Sequence, residues 1–316
     1  MKKIWVVFLV SLFLMGAGSW ASAQDLKFIL ATGGTAGTYY PFGGAMAKIW
    51  NSKIPGMNVT AQATGASVEN VRLINRDEVE LALVQSDTID FAYHAKETFK
   101  EKLTKMAVIA VLYPEIIQVV VRGDSPIKSF ADLKGKKVGV GAPGSGTEAN
   151  FRQFLDVYGM KKEDVNGQFL SFAESADQFK DKHIDAFFVT AGIPNAAIMD
   201  VGASHSIRIL SLPNDKVAAL EKKYPFLAAA TIPANTYKNQ TSDVKTVAVS
   251  AVLIVATKLK DDVVYKMTKA LFENQAELIA AHAKGKELNI AKAVKGVSIP
   301  YHPGAVKYYK EKGAMK

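Results

Sequence analysis

The sequence predicts an α/β protein built as two lobes hinged into a clamshell. Three observations lead there. Short runs rich in β-branched residues alternate with runs of helical period over most of the chain, the pattern of mostly parallel sheets covered on both faces. One extended run, 106–122 (MAVIAVLYPEIIQVVVR), has two strand-like halves abutting across Tyr113-Pro114-Glu115 with no helix between them. That is expected of a chain leaving one lobe through a strand and entering another. A second long apolar run, 247–256, comes late in the chain. Lobes joined by two or more such crossings place a ligand in the cleft, at the carboxyl ends of the strands.

In order, residues 27–31, 58–63 and 80–84 read as strands, followed by helices at 44–50, 67–75 and 87–95. Beyond the crossing the alternation resumes with strand 137–140, helix 147–158, strand 168–172 and a helix from Ser175. Strand 186–189, helix 194–201 and strand 206–210 complete it. After 247–256 come helices at 261–274 and 276–284, then a tail containing Tyr301-His302-Pro303-Gly304. The expected lobes are 24–114 with 256–316, and 115–255. There is no internal repeat and no low-complexity tract.

The first 23 residues have the layout of a secretory signal peptide: Lys2 and Lys3, an apolar stretch over 4–18, and Ala21-Ser22-Ala23 as the cleavage site. The stretch is shorter than the ~20 residues a spanning helix needs. Cleavage after Ala23 would leave an exported protein. Cysteine is absent, which rules out disulfides, thiolate metal sites, thiol nucleophiles and a lipid-modified cysteine as a tether. Without Lys2 and Lys3 the 39 basic residues become 37, against 30 acidic ones, a net charge of +7. The lysines are scattered, as in Lys100, Lys102 and Lys105 or Lys134, Lys136 and Lys137, which describes a solvated surface that weakly steers anions. Nucleic acid is not an expected partner.

The strand-to-helix turns carry the chemistry. They are 32–40, Thr64-Gly65-Ala66-Ser67, Gln85-Ser86-Asp87, 141–147 (GAPGSGT) and Thr190-Ala191-Gly192. Each is rich in glycine or short hydroxyl side chains and lies where a helix start presents unpaired N–H groups, which favour an anion. Two glycine turns, one per lobe, would hold one small anion from opposite sides. At least one of Tyr39 and Tyr40 is expected to wall that pocket. Gln85 ends an apolar strand, so its amide needs a partner, and a ligand is one candidate. Ser145 and Glu148 have capping-box spacing; Glu148 either bonds its own helix start or receives a ligand ammonium.

Residues 139–144 also match G-x-G-x-x-G. A dinucleotide reading fails on three counts: the helix begins only after Gly146, Glu163 and Asp164 precede the next strand, and the protein is exported. The five histidines (His94, His183, His205, His282, His302) lack metal-ligand spacing, and no nucleophile elbow or carboxylate pair is present. No catalytic residue, metal or cofactor is expected.

The stretches ATGGTAGTYYPFGGAMAKIW, VTAQATGASVENVRLI, ELALVQSD, KGKKVGVGAPGSGTEANFRQFL, AATIPANTY and IPYHPGAVKYY together resemble the TAXI-type solute receptors of TRAP transporters. The likeness runs in order over 26–309 and rests on the Gly-Thr-Tyr-Tyr-Pro loop occurring with the Tyr-His-Pro-Gly tail. It implies a periplasmic-binding-protein fold of the type II-like class and a monomeric, periplasmic receptor. It implies a small carboxylate or amino-acid ligand such as glutamate, glutamine or 2-oxoglutarate, delivered to an integral membrane TRAP permease. It assigns ligand contacts to Gly33, Gly34, Thr35, Thr38, Tyr39, Tyr40, Gln85, Ser145, Gly146 and Thr147, with Thr64, Ser67, Thr190 and Tyr237 beside them. One departure is Ala36, where many relatives have glycine; its methyl requires a negative φ or an orientation away from the ligand. The alternatives are an ABC-type receptor of the same fold for a sulfonate or other small anion, and a secreted enzyme on this fold.

Overall fold

The computed structural model describes residues 26–316; the export segment read over 1–23 lies outside them. The first half of the chain forms β1 (Leu26–Ala31), α1 (Tyr39–Lys53), β2 (Met57–Gln62), α2 (Ser67–Asn75), β3 (Leu81–Gln85), α3 (Ser86–His94) and β4 (Met106–Arg122). Then follow β5 (Lys137–Gly139), α4 (Gly146–Val157), β6 (Asn166–Gln168), α5 (Phe172–Lys180), β7 (Ala186–Ala191), α6 (Ala196–Ser204), β8 (Ile207–Ile209), α7 (Asn214–Lys223) and β9 (Ala228–Ile232). The chain finishes with β10 (Val244–Ala256), α8 (Asp261–Glu273), α9 (Gln275–Ala281) and α10 (Pro303–Glu311).

The strands join in the order β2-β1-β3-β10-β4-β7-β5-β6, with β9 on β10 and β8 on β4. β1 lies parallel to β2 and β3, and β5 lies parallel to β6 and β7. Between these two parallel groups run β4 and β10, antiparallel to each other and to the strands beside them. The sheet curls, with helices flanking it. The crossing read as two abutting runs is one strand of 17 residues. Its pairing with β10 skips Ile109 and Leu112, and skipped residues of this kind bend and twist a ribbon.

Buried apolar side chains gather into one cluster from 30–113 and 251–309, and two from 116–249. We call these halves lobe 1 and lobe 2; β4 and β10 pass between them. β3 shows the cause locally: LALVQ is buried at all five positions, as a continuous apolar strand must be when both faces are covered.

Several elements differ from the sequence-based expectation. α1 starts at Tyr39 rather than Gly44, because Pro41 fits a first helical turn and Gly43 packs where a side chain would strike Thr32. Residues 168–172 end a short strand and cap a helix: Ser171 accepts from Glu174 N, and the Glu174 carboxylate accepts from Ser171 N at 2.8 Å. α7 and β9 lie in a stretch to which the sequence reading assigned no element.

Candidate functional site

A cavity of about 70 Å³ lies between the lobes, where the parallel strands end. At roughly 10–15 Å³ per water-sized centre, it suits a small molecule. From lobe 1 it receives the turn after β1 (Gly33, Gly34, Gly37, Thr38, Tyr39), the turn after β2 (Thr64 to Ser67) and Gln85 at the end of β3. From lobe 2 come Ala142, Ser145, Gly146 and Thr147 after β5, Ser171 and Phe172 after β6, and Thr190 in β7. Glu115 enters from the crossing strand β4 itself.

Of the expected contacts, eleven line this cavity: Gly33, Gly34, Thr38, Tyr39, Thr64, Ser67, Gln85, Ser145, Gly146, Thr147 and Thr190. Three do not. Thr35 is exposed, and Tyr40 points to solvent because consecutive helical residues diverge by about 100°. Tyr237 is buried inside lobe 2, where its hydroxyl accepts from Asn195 N at 3.0 Å and donates to Gln118 Oε1 at 2.6 Å. It braces the turn at Asn195, whose side chain donates to Ala36 O at 3.0 Å. The Ala36 methyl packs against a lobe 2 apolar cluster, and its φ is not positive.

Much of the polar lining is already engaged by protein. Thr64 Oγ1 donates to Asn70 Oδ1 at 2.6 Å, Ser67 Oγ accepts from Gln85 N at 3.1 Å, and Thr190 Oγ1 donates to Asn150 Oδ1 at 3.0 Å. Other bonds span the lobes. Gly144 O of lobe 2 accepts from Val68 N and Glu69 N at 3.0 and 3.1 Å, so the start of α2, expected to face an anion, is capped by the opposite lobe. Thr38 Oγ1 accepts from Gly192 N at 3.1 Å. The buried Asp87 carboxylate accepts from Asn150 Nδ2 at 3.2 Å and Gln153 Nε2 at 3.0 Å, while burial pushes its pKa up. The halves are closed on each other.

What remains is sharply defined. Gln85 Oε1 is buried and has no hydrogen-bond partner, a state that costs about 1–3 kcal/mol unless something else supplies a donor. It faces Gly146 so closely that a Cβ there would lie 1.9 Å from it. Glu115 is 2 % exposed. It accepts from the Tyr39 hydroxyl at 2.6 Å, and burial pushes its carboxyl up to about 8, with Asp87 adding to the rise. The sequence reading missed Glu115, although it is the lone carboxyl in an otherwise uncharged run from 106 to 121. It also missed Ser171 and Phe172, because they were assigned to a strand. Glu148 does not line the cavity: its side chain pairs with Arg152, while Ser145 Oγ accepts from Glu148 N at 3.1 Å. Only one half of the capping box forms.

A curled α/β sheet with a cavity gripped between two lobes is the periplasmic-binding-protein fold. The chain belongs to the NMT1-like family, whose model matches residues 30–313. Solved structures share the architecture at low identity. A periplasmic transporter is 13% identical over 93% of this chain and 94% of its own, with a TM-score of 0.54. A structure from work on glutathione import through GshT and the cystine ABC importer TcyBC of Streptococcus mutans is 16% identical, covering 89% and 100%, at 0.51. The alkanesulfonate-binding protein SsuA of Xanthomonas axonopodis pv. citri, bound to MOPS, is 14% identical, covering 92% and 85%, at 0.50.

Proposed function

We propose that the protein is an exported solute receptor that closes on one small anionic or amphoteric metabolite and hands it to a membrane transporter. The observation that carries this reading is the orphaned Gln85 Oε1 at the cavity between the lobes. A buried acceptor without a donor is tolerated where a ligand completes it. Helices α1 and α4 start at the cavity wall and offer backbone N–H groups to a carboxylate or sulfonate. The bonds between the lobes are those that opening would break, so ligand contacts to both walls shift the population towards the closed form. The solved relatives are named as binding and transport proteins, which supports a receptor rather than an enzyme.

The membrane partner has two readings. The names of the solved relatives concern ABC importers and a sulfonate binder, and they favour an ABC-type receptor over the TRAP-type one. The TRAP reading rests on the Tyr-Tyr-Pro loop and the Tyr-His-Pro-Gly tail. Neighbouring genes separate them: an ATPase subunit supports the first, a large multi-span permease without an ATPase the second. The receptor reading is tested by mass spectrometry of small molecules released from the purified protein, and by calorimetry with glutamate, glutamine, 2-oxoglutarate and taurine. No released metabolite and no heat would remove it.

A further inference from the structure

Among the described residues, those lining the cavity include no lysine, arginine or histidine, and a single carboxyl, Glu115. Backbone N–H groups at the helix starts can hold an anion, and beside them the cavity places an acid. Gln85 Oε1, which lacks a partner, is an acceptor. Ser67 joins the two, because its Oγ accepts from Gln85 N at 3.1 Å and it hydrogen-bonds the Tyr39 hydroxyl that in turn donates to Glu115. One wall of the cavity, at the starts of α1 and α2 and against the start of α4, therefore carries an unpaired acceptor and a buried acid.

We infer that Glu115 selects ligands bearing a protonated amine, and that each ligand bound displaces the proton from the Glu115 carboxyl. The inference rests on the receptor reading above. Its balance is simple: the free, closed cavity holds neutral Glu115, the ligand arrives with its ammonium intact, the carboxyl O–H bond breaks, and the proton leaves to solvent while the carboxylate pairs with the ammonium.

Every group facing Glu115 is consistent with this. Tyr39 on α1 and Tyr113 on β4 are both held in their neutral forms by burial. Asp87 at the start of α3 adds negative charge and opposes ionisation of Glu115. Glu287, in the turn after α9, faces Tyr113 and is paired with Lys284. Among the described residues no cation lowers the Glu115 pKa, which burial pushes up to about 8; an ammonium on the ligand would supply the charge that ionises it.

The test is calorimetry at pH 7 in phosphate and in Tris, buffers of different ionisation heat. The probes are glutamate with its deaminated partner 2-oxoglutarate, and taurine with ethanesulfonate. The expected result is release of nearly one proton on binding the amine-bearing member of a pair. That member binds roughly 30-fold or more tightly than its partner. Glu115→Gln abolishes both the preference and the release. Equal heats in both buffers, or tighter binding of the amine-free member, would overturn the inference while leaving the receptor reading intact. Silence from every probe would overturn both. Independently of binding and of how the variant folds, carbon-13 carboxyl NMR of the free wild-type protein should show Glu115 titrating near 8. A midpoint near the ordinary 4.5 would sink the inference.

Discussion

The glycine-and-tyrosine loop at 32–40 and the Tyr-His-Pro-Gly tail at 301–304 carry the family resemblance together, yet they do opposite things. The loop lines the cleft, next to an unpaired Gln85 and a buried acid. The tail lies elsewhere and leaves little unsatisfied. His302 Nδ1 accepts from Gly304 N at 3.2 Å, its Nε2 hydrogen-bonds Leu259 O at 3.1 Å, and the Tyr301 hydroxyl donates to Ala293 O at 3.0 Å. Pro303 opens α10, and Gly304 lets α10 press on α8, where a Cβ would come within 2.2 Å of Asp261 O. The tail is a clasp that stabilises lobe 1. On the proposed receptor function the cleft residues are held at a cost that ligand offsets, so the two motifs should respond to mutation with opposite signs.

The largest effect is expected at Glu115. Its folded-state pKa is raised from 4.5 to about 8, so the folded protein holds the proton more tightly than the unfolded chain. Stability of the ligand-free protein is therefore fully present below about 4.5 and declines as pH rises through about 8. Glu115→Gln should flatten that slope and raise stability at pH 8 by as much as ~4 kcal/mol, as read by urea denaturation at pH 5 and pH 8. A wild-type profile that rises between those pH values would break the comparison at its cleft end.

Next comes Gly304→Ala. The atoms it would strike are backbone and cannot swing aside, so a loss of about 3 kcal/mol is expected, with ligand affinity unchanged below the melting temperature. Thermal melts with and without ligand check both halves. Gly146→Ala should show the reverse. The obstacle is the end of the Gln85 side chain, which moves when the lobes part. Affinity should fall at least roughly tenfold, ~1.4 kcal/mol, while the free protein keeps its melting temperature; an unchanged affinity would place the ligand away from this wall. The smallest effect is His302→Ala. Loss of its cap and of its bond to Leu259 O should cost about 1 kcal/mol and leave calorimetric binding as it was.

The legibility of the chain divides in the same way. β3, α2, α4 and α8 were readable because their apolar spacing reports burial directly. The glycine turns were readable as cleft candidates because strand-to-helix turns gather at one edge of a parallel sheet. Tyr40 was misplaced because adjacent helical residues point in different directions, and the start of α1 was hidden by Gly43 and Gly44. Tyr237 was misassigned because a buried tyrosine that braces a turn looks, in sequence, like one that lines a pocket. Glu115 was overlooked for a different reason: it sits within a strand, away from every turn, and faces the cavity only because β4 passes between the lobes.

By itself the sequence determined the α/β class, the crossing strands and most of the turns that reach the cleft, since periodicity and turn chemistry are local properties. Only the tertiary structure decided which polar groups are already satisfied and which are left for a ligand. Gly144 capping α2, Asn150 and Gln153 taking up Asp87, and the unpaired Gln85 beside a neutral Glu115 are outcomes of two lobes meeting. Hydrogen-bond satisfaction and desolvation depend on what surrounds an atom in space, and residues as many as 159 positions apart along the chain, such as Ala36 and Asn195, supply those surroundings.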